Sequence, residues 1–95
     1  MLANFQIVEI LSFQKILEKN LGHDAQKIYS KMVVQIFPQL KQNPYYGPNI
    51  KKLHDQKPES WRYRIGDYRL FYRINAEQKL VILFSICHRQ SAYHQ

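Results

Sequence analysis

From Trp61 onward, polar and apolar residues alternate with a period of two, and a glycine interrupts the alternation where a chain reversal needs one. Trp61, Tyr63 and Ile65 fall on one side of this segment, and Arg62 and Arg64 on the other. Gly66-Asp67 follows, a two-residue loop with glycine first, as a type II′ turn requires. The alternation then resumes, with Tyr68, Leu70, Tyr72 and Ile74 on one side and Arg69, Phe71 and Arg73 on the other. So short a loop leaves no freedom of register. Ile65 must oppose Tyr68, Arg64 must oppose Arg69, Tyr63 Leu70, and Trp61 Tyr72. The segment therefore predicts a hairpin with an aromatic–aliphatic face, to which Trp61, Tyr63 and Tyr72 belong as core, and a cationic face. A third run, Lys79 to Cys87, is apolar on both sides, as in a strand covered on both. With Ile74 set opposite Leu80, Ile82, Phe84 and Ile86 join the core face. Ser85 and Cys87 then fall with the arginines, and Arg89 follows if the strand continues.

The rest of the chain supplies the layer that covers such a sheet. Residues 4–11 are rich in β-branched and aromatic side chains and read as a first strand. Ser12 stands where a helix cap would, ahead of a short helix with Phe13, Ile16 and Leu17 on one side, and Gly22 ends it. Asp24 is an N-cap for a second helix, in which Ala25, Ile28, Tyr29, Met32, Val33, Ile36 and Phe37 follow the i, i+3, i+4, i+7 pattern of a core-facing stripe. Pro38 disfavours helical geometry at Phe37, so an end or a kink is expected there, with one further turn to Leu40 beyond a kink. Residues 42–60, with Asn43-Pro44 and Gly47-Pro48 as turn punctuation, read as loop. The order β-α-α-β-β-β predicts an α+β fold, two helices packed on one face of a small, mainly antiparallel sheet. Ninety-five residues suit one domain over 1–95, because a chain this short has apolar residues for a single core.

Charge narrows the partner. Fourteen Lys and Arg against seven Asp and Glu leave a net +7. Residues 1–50 carry five lysines and three acids, whereas residues 51–95 carry nine basic and four acidic residues, including all five arginines. That distribution points to a polyanion. No apolar run approaches the ~18 residues of a membrane span, and no basic and apolar leader opens the chain. One cysteine, Cys87, excludes an internal disulfide framework and suits a reducing compartment; the expectation is a cytoplasmic protein without membrane attachment.

The chemistry follows by elimination. Three glycines provide no phosphate-binding loop, and His23, His54, His88 and His94 lack ligand spacing for a metal, so neither cofactor nor metal is expected. No nucleophile motif of a hydrolase is present. What remains is a basic sheet interleaved with Tyr and Phe, suited to single-stranded nucleic acid through charge and stacking. Arg62, Arg64, Arg69 and Arg73 share one face, and like charges opposite one another weaken a strand pair. An anionic ligand relieves that repulsion, and the guanidinium fork matches phosphate. RNA adds a route to self-cleavage, in which its 2′-hydroxyl attacks the adjacent phosphate. That route needs a proton acceptor and cations around the phosphorane. His88-Arg89-Gln90-Ser91-Ala92-Tyr93 offers a base, a cation and a phenol near a strand end.

Residues 61–72, Trp-Arg-Tyr-Arg-Ile-Gly-Asp-Tyr-Arg-Leu-Phe-Tyr, followed by His88-Arg89 and Tyr93, resemble the RelE/ParE superfamily of bacterial toxins from toxin–antitoxin pairs. The Asn43-Pro44…Gly47 loop and Lys51-Lys52-Leu53 are similar to that family as well. The resemblance implies a RelE-like fold and a small toxin neutralised by a cognate antitoxin. It also implies a metal-independent endoribonuclease that cleaves mRNA on the ribosome and inhibits translation. Arg62 and Arg64 match the basic pair that grips the RNA backbone. Arg69 and Arg89 match arginines at the scissile phosphate, and Tyr93 matches a C-terminal tyrosine that stacks on a base and takes part in proton transfer. His88 stands where some branches carry a candidate general base. The expected catalytic set is thus Arg64, Arg69, His88, Arg89 and Tyr93, with Lys51, Lys52, Arg62, Phe71 and Arg73 as RNA contacts. Two alternatives stay open: a ParE-type toxin that poisons DNA gyrase without nuclease activity, and a decayed toxin that only binds its antitoxin.

Overall fold

The structure is a computed structural model and describes residues 4–54 and 57–92. Among these residues the chain forms β1 (Gln6–Glu9), α1 (Phe13–Leu21), α2 (Ala25–Lys31), α3 (Phe37–Gln42), β2 (Ile50–Leu53), β3 (Ser60–Ile65), β4 (Tyr68–Asn75), β5 (Leu80–His88) and a last helical turn, α4 (Arg89–Ala92). The five strands make one mixed sheet in the order β1-β5-β4-β3-β2. β1 runs parallel to β5, and every other pairing is antiparallel. A parallel pair needs a crossover, and the helices provide it. They lie on one face, where Phe13, Leu17, Leu21, Met32, Ile36 and Leu40 meet Leu70, Tyr72, Val81, Leu83 and Ile86 in a buried cluster. Each such side chain contributes roughly 1.5–3 kcal/mol on leaving water.

The hairpin follows its sequence pattern. Ile65 opposes Tyr68, Arg64 opposes Arg69, Tyr63 Leu70 and Trp61 Tyr72. Gly66 takes φ +56°, the positive value that the first position of a II′ turn requires. The helices depart from expectation in two places. Asp24 makes no side-chain cap; its carboxylate instead accepts a hydrogen bond from Tyr68 Oη at 2.7 Å. Of the end or kink expected at Pro38 the chain takes the second: a π turn, Met32–Ile36, carries the second helix on into α3, and the Phe37 N–H donates to the Met32 carbonyl five residues back. The wider turn accommodates a proline ring that would otherwise meet the carbonyl four residues before it. It also shifts the helical phase. Val33, which the periodicity places in the core stripe, is 47% exposed, and Leu40 is buried in its stead.

The sheet departs in three more. The first strand is shorter than residues 4–11, and the loop-rich middle contains the edge strand β2, paired with β3 through Lys51↔Arg62 and Lys52↔Trp61. β5 pairs one residue away from expectation, with Asn75 opposite Leu80 and Ile74 opposite Val81. Lys79 enters the left-handed region at φ 58°, so the connecting turn takes in one more residue. Val81 and Leu83 therefore join the core, and Ile82 and Phe84 move to the arginine side. A β-bulge opposite Phe71 and Tyr72 then changes the phase again. Beyond it, Ile86 lies in the core, and Ser85 and Cys87 lie with the arginines as expected.

Candidate functional site

The sheet face turned away from the helices arranges its basic residues in rows. Lys51, Arg62, Phe71 and Ser85 form one row across β2, β3, β4 and β5. Arg64, Arg69 and Cys87 form the next, and Arg73, Ile82 and Val8 form a third toward β1. Opposite residues in an antiparallel pair hold their Cβ atoms about 4.5–5.5 Å apart, so a ligand on one row touches side chains from several strands. No strand residue on this face is acidic.

The arginines are held in different ways. Arg69 is only 7% exposed, and its Nη1 donates to the carbonyls of Gly66 (2.8 Å) and Tyr68 (2.9 Å), clamping the hairpin turn. Its charge has no carboxylate partner among the described residues. The nearby guanidinium lowers the Cys87 thiol pKa, but burial is the larger effect and the net shift is upward. Arg73 lays its guanidinium over the Phe84 ring, 4.2 Å from the centroid, and its buried Nε finds no hydrogen-bond partner. An unmet buried donor of this kind costs about 1–3 kcal/mol. Arg64 is exposed. Arg89 opens α4, where its N–H donates to the Asp67 carbonyl (2.7 Å) and its Nε lies 3.8 Å from the Asp67 carboxylate. Asp67, one half of the tight turn, thus fastens the C-terminal segment to the hairpin.

Two expected site residues stand apart from this group. Lys52 is on the helix side of β2, paired with Glu59 at 2.9 Å and 5.9 Å from the centre of the Trp61 ring. His88 is also on the helix side: it opposes Tyr68, and the two rings meet edge to face at 5.6 Å. Its Nδ1 accepts a hydrogen bond from the Gln90 N–H at 3.3 Å. The bulge in β5 decides this placement, because one residue more or less reverses the side of everything after it. Tyr68 itself holds its proton more tightly than a free phenol, first through its bond to Asp24 and then through burial. Tyr93 lies outside the described residues. In the other direction, the structure adds Phe84 to the arginine face, half-exposed, with its ring 6.3 Å from that of Phe71. A run that is apolar on both sides carries no alternation by which the sequence could have revealed it.

Among the described residues no cluster of His, Cys, Asp and Glu is arranged to hold a metal ion, and no helix is long and apolar enough to cross a membrane. What the open face offers is a set of cations, two of them held in place, interleaved with aromatic rings and suited to a chain of phosphates and bases.

Residues 10–93 match the family described as ParE toxin of type II toxin-antitoxin system, parDE. The chain belongs to the RelE/ParE toxin superfamily. No curated protein sequence matches this toxin significantly. Among solved structures, the toxin is similar to a chain of the RelBE2 toxin–antitoxin complex of Mycobacterium tuberculosis, at 22% identity and a TM-score of 0.68 over 90% of this chain and 99% of that one. It is similar to the archaeal RelE–RelB complex of Pyrococcus horikoshii at 18% identity and a TM-score of 0.65, over 90% of this chain and 96% of that one. The isolated RelE toxin of E. coli matches at 21% identity and a TM-score of 0.60, over 97% and 93%. These likenesses show the RelE-like fold.

Proposed function

We propose that this toxin is an endoribonuclease that cleaves mRNA on the ribosome, by attack of the RNA 2′-hydroxyl on the adjacent phosphate. The observation that carries the reading is the open sheet face, where Lys51, Arg62, Arg64, Arg69 and Arg73 gather with no acidic strand residue among them. Lys51 and Arg62 hold the backbone, and Arg64 faces the scissile phosphate, with the buried Arg69 guanidinium adding its charge from the opposite strand. The 2′-oxygen forms a bond to phosphorus as its proton passes to a base. The 5′-oxygen leaves with a proton from an acid, and a 2′,3′-cyclic phosphate remains. Fixed guanidinium groups stabilise the extra charge of the phosphorane without reorganising during the step. Arg89, steadied by Asp67, assists the leaving oxygen. His88 shares its side of the sheet with Tyr68, which favours Tyr93 over His88 as the proton acceptor. A cognate antitoxin completes the pair: the similar structures from Mycobacterium tuberculosis and Pyrococcus horikoshii are toxin–antitoxin complexes. The site of action is the cytoplasm.

The test is to induce the chain in a bacterial host and map the 5′ ends of a translated reporter message. New ends in register with codons, lost when the start codon is removed, support cleavage on the ribosome; ends that persist without translation indicate a free ribonuclease. Arg89→Ala and Tyr93→Ala should keep the fold and antitoxin binding and abolish cleavage, and full toxicity in both variants refutes their assignment. Lys51→Ala should weaken cleavage, whereas Lys52→Ala, on the other side of the sheet, should not. The match to ParE toxins favours a second reading, gyrase poisoning. Growth arrest with intact message would select it, and intact message with normal growth would indicate a decayed toxin.

A further inference from the structure

The bulge in β5 does more than restore Ile86 to the core. It places an extra residue opposite Phe71 and Tyr72 and so sets Phe84 beside Phe71 on the open face. The two rings are tilted by 33°, and the Arg73 guanidinium lies over the Phe84 ring, 4.2 Å from its centroid, with a buried, unpartnered Nε–H. Packing alone accounts poorly for this arrangement. A strand surface built only to be covered would pair that donor, and one built only to meet water would not keep two large rings half-exposed on it. The ligand that uses every part is flat, stacks on a ring or a guanidinium, and carries acceptors around its edge. A nucleobase has all three properties, and its edge acceptors can reach the outer nitrogens of the Arg73 guanidinium, whereas a bare phosphate would leave the rings unused.

Position agrees with chemistry. Arg62 opposes Phe71, and Phe84 lies on the next strand, so Arg62 and Phe84 stand about two strand spacings apart, ~10 Å, with Phe71 between them. That is within the reach of one nucleotide from its base to a neighbouring phosphate. The surface around the rings is basic, which matches the charge of the same ligand.

We propose that Phe84, with Phe71 beside it and Arg73 stacked on it, is a nucleobase-binding subsite for single-stranded RNA, in which one base stacks on this group and accepts a hydrogen bond from the Arg73 guanidinium. The proposal rests on the reading of the open face as an RNA site. Phe84 acts there as a binding residue that positions the strand, and the phosphate contacts remain with the arginines.

Fluorescence anisotropy with a labelled 2′-O-methyl RNA oligonucleotide, which cannot be cleaved, tests it on the whole chain. Phe84→Leu should weaken binding about tenfold and leave the dependence on salt unchanged, because stacking releases no counterions. Phe84→Tyr should bind within about twofold of wild type, since the ring is kept. An oligonucleotide of the same length without bases should bind wild type and Phe84→Leu equally. Arg64→Gln should lose affinity with a shallower salt dependence. Thermal melts of each variant verify folding. If Arg64→Gln weakens binding while folded Phe84→Leu binds as wild type does, the subsite is refuted and the RNA reading stands. If wild type fails to bind the oligonucleotide at all, the RNA reading and the subsite fall together.

Discussion

Arg64 and Arg69 stand directly opposite one another on β3 and β4, and their repulsion should make this site a measurable weakness in the fold. Arg69 is buried, its hydrogen bonds go to two carbonyls, and no carboxylate among the described residues offsets its charge. Like charges opposite across a strand pair cost about 0.2–1 kcal/mol, and opposite charges contribute a similar amount. Arg64→Gln removes the repulsion at nearly constant size and should stabilise the toxin by about 0.5 kcal/mol. Arg64→Glu replaces repulsion by attraction, for a gain of about 1 kcal/mol and a rise in Tm of about 4–8 °C in a domain of this length. Circular dichroism melts at low salt and in 1 M salt provide the assay. At the higher concentration the Debye length is only about 3 Å, and the gain should shrink toward that of a neutral substitution. The same variants should lose RNA affinity, so stability and function move in opposite directions. A fall in Tm for Arg64→Glu, or a gain that persists in 1 M salt, refutes electrostatic repulsion as the cause.

Two other perturbations probe the opposite face of the sheet. Tyr72 is fully buried and its hydroxyl donates to the Pro44 carbonyl at 2.7 Å, so Tyr72→Phe should strand that acceptor and destabilise the fold by about 1–2 kcal/mol. Urea titration should show it as a lower midpoint at an unchanged m-value, and an unshifted midpoint contradicts the bond's role. Tyr29 has its phenol pushed up to about 12, first by burial and then by its hydrogen bond and charge contact with Glu9. Its folded pKa exceeds the unfolded value near 10, so its contribution to stability is complete below pH 10 and is lost as pH rises toward 12. Alkaline unfolding followed with wild type and Tyr29→Phe should show a smaller loss over that interval in the variant; equal losses would place the effect elsewhere.

How much of this molecule is legible without its structure depends on how locally each feature is determined. The hairpin from Trp61 to Ile74 is local: a period of two and a two-residue turn with glycine first leave one register, and that register separates the arginines from the core. The helical layer is nearly as local, because Phe13, Leu17, Leu21, Ala25, Met32 and Ile36 repeat at helical spacing. The π turn ahead of Pro38 is not, since periodicity describes a regular helix and cannot show where a wider turn will absorb a proline.

Pairing over longer distance decides the rest. β2 consists of Ile50, Lys51, Lys52 and Leu53, a segment that becomes a strand because β3 offers it an edge. β5 is apolar on both sides, so its own pattern favours neither register. The left-handed turn at Lys79 shifts the register and the bulge opposite Phe71 and Tyr72 restores it, which moves Phe84 to the open face and leaves Ile86 and His88 on the helix side. The sequence by itself thus determined the cationic face, because alternation and a tight turn act between neighbours. Whether the Phe84 ring joins that face was settled only when β5 docked between β1 and β4, where a shift of one residue reverses every side chain up to the compensating bulge.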